Sequence, residues 1–184
     1  MSHLLVIDIG SSQIIAAVAE IMEDRRIAVR GLGRARCGGL KQGVVIQIDS
    51  VVDALVRSVA EANQMAGTKL TDPLVSVGGS HILGQDISGT VILNHHEVTD
   101  ILLTQAMEQV QAQAQIPERE ILSVIPRSFT LDSQTGIRLP QGMTGNRLDA
   151  HVHVITGATH VINNLKKCLK QILHIFLIHK KLSA

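Results

Sequence analysis

At 184 residues and 45 % hydrophobic, the chain has enough apolar surface for one large or two small packed domains, which excludes intrinsic disorder. Its 17 basic and 16 acidic residues leave a net charge of +1, and its only aromatic residues are Phe129 and Phe176. Neither a global field nor a base-stacking platform therefore points to nucleic acid.

Taken in chain order, residues 4–9 (LLVIDI) are a near-continuous apolar run, the pattern of a strand buried on both faces. Residues 13–21 supply a second strand, 23–26 a polar turn and 27–33 a third strand, an antiparallel three-stranded meander. The glycine-marked segment CGGLKQGVVIQIDS is a loop leading into a short strand. Ser50 is expected to open a helix, because Ser50 and Asp53 fit the S-x-x-D capping pattern. Val52, Leu55, Val56, Val59 and Ala60 then recur at helical spacing, and Gly67 is placed to close the helix in a left-handed cap. Residues 74–77 form a short strand stopped by Gly78 and Gly79.

A second unit opens near Ser80. Residues 82–93 read as a strand broken at Gly84 and Gly89. Residues 99–114 read as a helix with Leu102, Ala106 and Val110 on one side, ended by Pro117. Strands at 121–125, 128–132 and 148–156 surround the loop GIRLPQGMTGN, giving a strand–helix–strands α+β module. Beyond residue 156, Val161, Leu165, Cys168, Leu169, Ile172 and Phe176 share one helical face, and Lys166, Lys170 and His174 share another. The apolar face is expected to pack in a core; the alternative is that this helix lies on an anionic membrane surface. The two cysteines, Cys37 and Cys168, have no metal or CxxC spacing, and no basic segment precedes an apolar stretch at the N-terminus. A reduced, cytosolic chain without a secretory signal is the expectation. No apolar run approaches the ~20 residues of a membrane span.

Between the first two strands lies the corner Asp8-Ile9-Gly10-Ser11-Ser12-Gln13. A small-residue turn of this kind leaves backbone N–H groups facing outward, a concave set that binds anions. Gly10 lets the backbone approach a ligand, and the Ser11 and Ser12 hydroxyls add donors. Asp8 would repel a bare phosphate; it fits if it holds Mg²⁺, mostly through water. Ordinary hairpin chemistry explains Asp and Gly equally well. Neither a GxxxxGK[ST] nor a GxGxxG spacing is present.

Strand–DIGSSQ–strand, a third strand, GGLKQGVV and the helix near Ser50 resemble the first subdomain of the actin/Hsp70/sugar-kinase superfamily, of ribonuclease H-like, mixed α/β fold. VSVGGSHI, EVT, ILSVIPRSFTLDSQTGIRLPQGMTGNRLDAHVHVITG and NLKKC narrow the resemblance to FtsA, the actin-like bacterial cell-division family, over about residues 4–170. The resemblance implies residues 1–79 and 156–184 as an actin-like first subdomain, incomplete here, and 80–155 as the family's inserted strand–helix–strand–strand subdomain. It implies an ATP- and Mg-binding scaffold that self-associates and anchors FtsZ peripherally on the cytoplasmic face of the inner membrane at the division site. It also implies contacts to late septal proteins through the insert, and phosphate binding by Asp8, Gly10, Ser11, Ser12 and Gln13. Family members continue into a second phosphate loop, an FtsZ-binding subdomain, an adenosine-binding glycine pair and a membrane helix. Residues 169–184 contain no glycine and no aspartate, so a truncated or frameshifted reading is expected, with at most faint ATP binding by this chain alone.

No catalytic residue is assigned. His151 and His153 share a strand face, as metal ligands can, but lack partners beyond Asp149; solvent-facing positions explain them. Asp132 and Asp149 read as ordinary strand-end or loop-end residues, and His95-His96 as a surface turn. The other readings are a fragment of a sugar or acetate kinase on the same fold, which would need an acceptor site and a base near the γ-phosphate, and a pilus-assembly or reactivating-chaperone adaptor.

Overall fold

The computed structural model describes the backbone of residues 2–182 and the side chains of residues 2–172. The chain divides into two units, Met1–His81 with His160–Ala184, and Ile82–Thr159.

In the first unit, β1 (Ser2–Ile9), β2 (Gln13–Ile21) and β3 (Ile27–Arg36) form the expected antiparallel meander. A later strand, β6 (Pro73–Val77), runs parallel to β1 on its other side, giving the order β3-β2-β1-β6. Between them lie the small hairpin β4 (Leu40–Lys41) and β5 (Val44–Val45) and the helix α1 (Ile48–Ala66). Strand alternation sends Leu5, Ile7, Ile9, Ile14, Ala16 and Val18 to one face of the sheet. There they pack with Val51, Leu55 and Val59 of α1 and with Leu165, Cys168 and Ile172 of α3 (Thr159–Leu182). Helix α1 presses so closely on β3 that a Cβ at Gly33 would lie 1.9 Å from the Ser58 carbonyl oxygen.

The cap of α1 differs from expectation. Its N-cap is Gln47 without a side-chain bond, so the Ser50–Asp53 pattern lies inside the helix. Ile48, packed against the core, draws the start two residues earlier. Gly67 does close α1 in a left-handed conformation, φ 64°.

The second unit is one sheet with one helix on it. β7 (Ile82–Ile92), β8 (Arg119–Leu131), β9 (Gln134–Ile137) and β10 (Arg147–Ala158) lie in the order β7-β10-β8-β9. Helix α2 (Asp100–Gln113) starts at Thr99, whose hydroxyl accepts from the Leu102 amide. Its Ala106 and Val110 join Val91, Leu93, Phe129, Leu148, Val152 and Val154 in the core.

Three expectations change here. Gly84 and Gly89 do not break β7; they give clearance. A Cβ at Gly84 would lie 2.5 Å from the His153 ring, and one at Gly89 2.4 Å from the Ala106 carbonyl oxygen. The strands expected at 121–125 and 128–132 are one strand, because the register shift between His151 and Val152 leaves Arg127 as an extra residue beside Pro126. Strand β9, absent from the expected strands, overlaps only the start of the GIRLPQGMTGN loop: Asp132, at φ 52°, turns the chain back, and its carboxylate accepts from the Asn146 and Arg147 amides. The His174 and Phe176 readings on α3 lie outside the described side chains.

Candidate functional site

The β1–β2 corner is tight because the Gly10 amide donates to the Gln13 carbonyl across 3.1 Å. A Cβ on Gly10 would sit 2.8 Å from that same oxygen, so glycine is what lets the turn close. One of the corner's amides is therefore spent on the turn. The amides of Ser11 and Ser12 have no partner among the described residues, and both serines are exposed. Asp8, the last outward-facing residue of β1 before the corner, is exposed at the open end of the sheet. Gln13 is half-buried at the start of β2.

Two neighbours of the corner escaped the sequence reading. The parallel register of β1 and β6 sets Ser76 beside Asp8, and both are exposed. The second neighbour is the Lys41-Gln42-Gly43 turn. Its Gly43 amide donates to the Ser11 hydroxyl oxygen across 3.1 Å. That contact occupies a lone pair of Ser11 and leaves its O–H free to donate outward. The turn is backed by the Gly78-Gly79 loop: a Cβ at Gly43 would lie 2.2 Å from the Gly78 carbonyl oxygen, and one at Gly79 2.5 Å from that of Gln42. Gly43 has φ 80° and Gln42 φ 52°, a mirror-image hairpin turn in which a residue with a Cβ is held left-handed. Three loops thus meet, the Gly43 turn against Gly78-Gly79 through backbone and against the corner through the Ser11 hydroxyl, with exposed Lys41 carried on one of them.

The donor set suits an oxyanion with a hydrated divalent cation beside it. Two open amides and two hydroxyls can hold phosphate oxygens, and a nearby carboxylate favours Mg²⁺ over a second anion. Asp8, Gly10, Ser11, Ser12 and Gln13 lie together at this corner, with Ser76 beside Asp8 in the sheet and Lys41 on the turn that meets Ser11.

The remaining polar candidates sit on the second unit's sheet, outside this corner. Three alternate residues of β10, which share one face, are bonded to β7: Asp149 to Thr90, His151 to Ser88 at 2.9 Å and His153 to Asp86 at 2.6 Å. The other ring nitrogen of His151 meets Thr130 at 2.9 Å. The hydrogen bond from His153 holds the Asp86 carboxyl below the usual aspartate range. For Asp149, burial pushes the other way but is outweighed by hydrogen bonds from Thr90 and Arg147, and its pKa is also lowered. Among the described residues no group of three or more His, Cys, Asp or Glu could hold a metal ion. These side chains join strands.

Residues 79–156 match the family described as the SHS2 domain inserted in FTSA. Over 169 residues, 92 % of this chain and 41 % of the relative, the sequence is 37 % identical to the cell division protein FtsA of Neisseria meningitidis. It is 35 % identical to that of Pseudomonas aeruginosa, over 90 % of this chain and 40 % of the relative. The chain thus spans about two-fifths of the length of these relatives. Among solved structures, the PilM-PilN type IV pilus biogenesis complex contains a chain of like fold, with a TM-score of 0.62 at 16 % identity, covering 91 % of this chain and 44 % of that one. That likeness concerns the fold alone.

Proposed function

The chain is of FtsA type, an actin-like mixed α/β fold carrying that family's inserted domain, and from this premise we propose that it serves bacterial cell division as a nucleotide-responsive scaffold. In this reading the β1–β2 corner takes the phosphates of ATP, with Asp8 holding Mg²⁺ through water. The inserted unit contacts late septal proteins and the chain acts in self-association, while anchoring of FtsZ at the cytoplasmic face of the inner membrane is a role the resemblance assigns to the family's FtsZ-binding subdomain and membrane helix. No described helix is long and apolar enough to cross a membrane.

The observation that carries the nucleotide part is the pair of open amides at Ser11 and Ser12 beside the Ser11–Gly43 contact. Bound Mg-ATP would supply charge and a bridging phosphate group. This chain's own part is to orient that group. Gly10 lets the corner close tightly so that the next two amides face outward, Ser11 and Ser12 would donate, and Asp8 would hold the cation through its hydration shell. The relatives at 35–37 % identity are division proteins, which favours division over the pilus and kinase readings.

Pull-down of the purified chain against FtsZ, cytoplasmic segments of late septal proteins and pilus-assembly proteins tests the partner part. Retention of a division protein is expected. Retention of pilus-assembly proteins alone, or of none, would contradict the proposal.

A further inference from the structure

Two arginines stand beside the corner on β3. Along residues 31–36, Gly31, Gly33 and Ala35 are buried on the α1 side of the sheet, and Leu32, Arg34 and Arg36 are exposed on the opposite face. Register sets Arg36 opposite Gln13 and Arg34 opposite Ile15, and Ile15 in turn lies opposite Asp8. Because Ile7, Ile9 and Ile14 point into the core, Asp8, Gln13 and Ile15 share the outer face with the two arginines. The end of β3 is also fastened to the corner, since the Cys37 amide donates to the Ser12 carbonyl oxygen at 3.1 Å. Arg36 is the residue just before that clasp.

The charges on this face are separated and unpaired. Asp8 and Arg34 stand two strands apart in one row, about 10 Å at the backbone, with Ile15 between them. Among the described residues neither these two arginines nor Asp8 is in an ion pair, whereas Arg26, Arg30, Arg127 and Arg147 each meet a carboxylate. Arg34 does have an acid close to its backbone, because its amide donates to the Glu61 carboxylate of α1 at 2.9 Å. That acid tempers the field of Arg34. Arg36 makes no such contact among the described residues.

A bare anion drawn to the arginines would be repelled by Asp8, and a bare cation drawn to Asp8 would be repelled by the arginines. A magnesium-bound chain of phosphates satisfies both ends. The carboxylate takes the cation through its water shell, and a guanidinium forks onto phosphate oxygens.

We propose that Arg36 is a further ligand-binding residue of the corner, its guanidinium gripping the phosphate chain of a magnesium polyphosphate on the side away from the cation at Asp8. Arg34 adds a weaker attraction. This rests on the reading of the corner as a magnesium–phosphate site, and it extends that site across the sheet from β1 and β2 to β3. A single phosphate seated on the Ser11 and Ser12 amides leaves the guanidinium unused, so Arg36 selects for longer chains.

The test titrates the full chain with tripolyphosphate and with inorganic phosphate, both with magnesium and at fixed ionic strength, while NMR follows the Ser11 and Ser12 amides and the Arg36 Nε–H. The Arg36 signal should move with tripolyphosphate in step with the two amides. Arg36→Gln should weaken tripolyphosphate binding about tenfold and phosphate binding less than about twofold. Arg36→Lys should lose about threefold, because an ammonium attracts but cannot fork, and Arg34→Gln about twofold. Arg57→Gln, which removes the same charge from an exposed position on α1, should change nothing. Unweakened tripolyphosphate binding by Arg36→Gln, with the Ser11 and Ser12 amides still shifting, would overturn the arginine assignment and leave the corner reading standing. Equal losses in Arg36→Gln and Arg57→Gln would overturn it too, as a bulk effect of charge. Ser11 and Ser12 amides that shift with neither ligand would count against both.

Discussion

The Gly43 amide and the Ser11 hydroxyl oxygen, 32 positions apart in sequence, meet at 3.1 Å. This contact turns a plain hairpin into a corner with a fixed hydroxyl. Gly43 is buried, so Ser11→Ala leaves a buried donor unpaired and should cost about 1–2 kcal/mol in urea denaturation. Gly43→Ala should cost more, about 3 kcal/mol, because it adds left-handed strain to a backbone clash with Gly78. Equal costs for the two variants would show that the contact, and not the packing of the turn, dominates.

Helix α1 depends on glycines in β3. Gly33→Ala would drive a Cβ into the Ser58 carbonyl, and Gly31→Ala one into that of Ala62, 2.1 Å away. Each should destabilise the chain by about 2–3 kcal/mol. Gly38→Ala meets nothing within 4 Å and should change stability by less than about 0.5 kcal/mol. Urea midpoints for the three variants check the contrast.

Acid should loosen the chain through carboxylates held below their ordinary range. A hydrogen bond from Arg30 lowers Glu20, one from His153 lowers Asp86, and those from Thr90 and Arg147 overcome burial to lower Asp149. A depressed carboxyl adds stability above its unfolded pKa and loses it as pH falls through its folded value. Unfolding midpoints should therefore decline below the ordinary aspartate and glutamate range. Asp149→Asn combined with Glu20→Gln should flatten that decline, as a pH series of denaturation curves would show.

Both cysteines are buried in the first unit's core, and burial pushes the Cys168 thiol up. The thiolate is the reactive form. Cys168 should therefore react with a disulfide reagent at least about a hundredfold more slowly in the native chain than in urea, where mass spectrometry would find it labelled.

What was legible in the sequence was local. The meander, the DIGSS corner and the Gly67 cap each follow from residues adjacent in the chain, so turn chemistry and alternation suffice. The Ser11–Gly43 tie and the Asp8–Ser76 pairing join segments brought together only by folding, and no spacing rule marks them. Where local rules misled, packing won. Burial of Ile48 overrode the Ser50–Asp53 capping pattern, and a bulge at Arg127 carried β8 past Pro126. Gly84 and Gly89 look like breaks in the sequence because their role depends on His153 and Ala106, which only folding brings beside them.

The most direct measurement of the phosphate-corner claim is an amide-resolved NMR titration of the full chain with Mg-ATP, Mg-GTP and magnesium tripolyphosphate. A handful of hydrogen bonds, each worth about 1 kcal/mol, predicts saturation in the millimolar range. The account predicts that the Ser11 and Ser12 amides shift with all three ligands alike, and that exposed Ser12→Asp removes the response by charge repulsion. Shifts confined to other parts of the chain, or a response that survives Ser12→Asp, would contradict it.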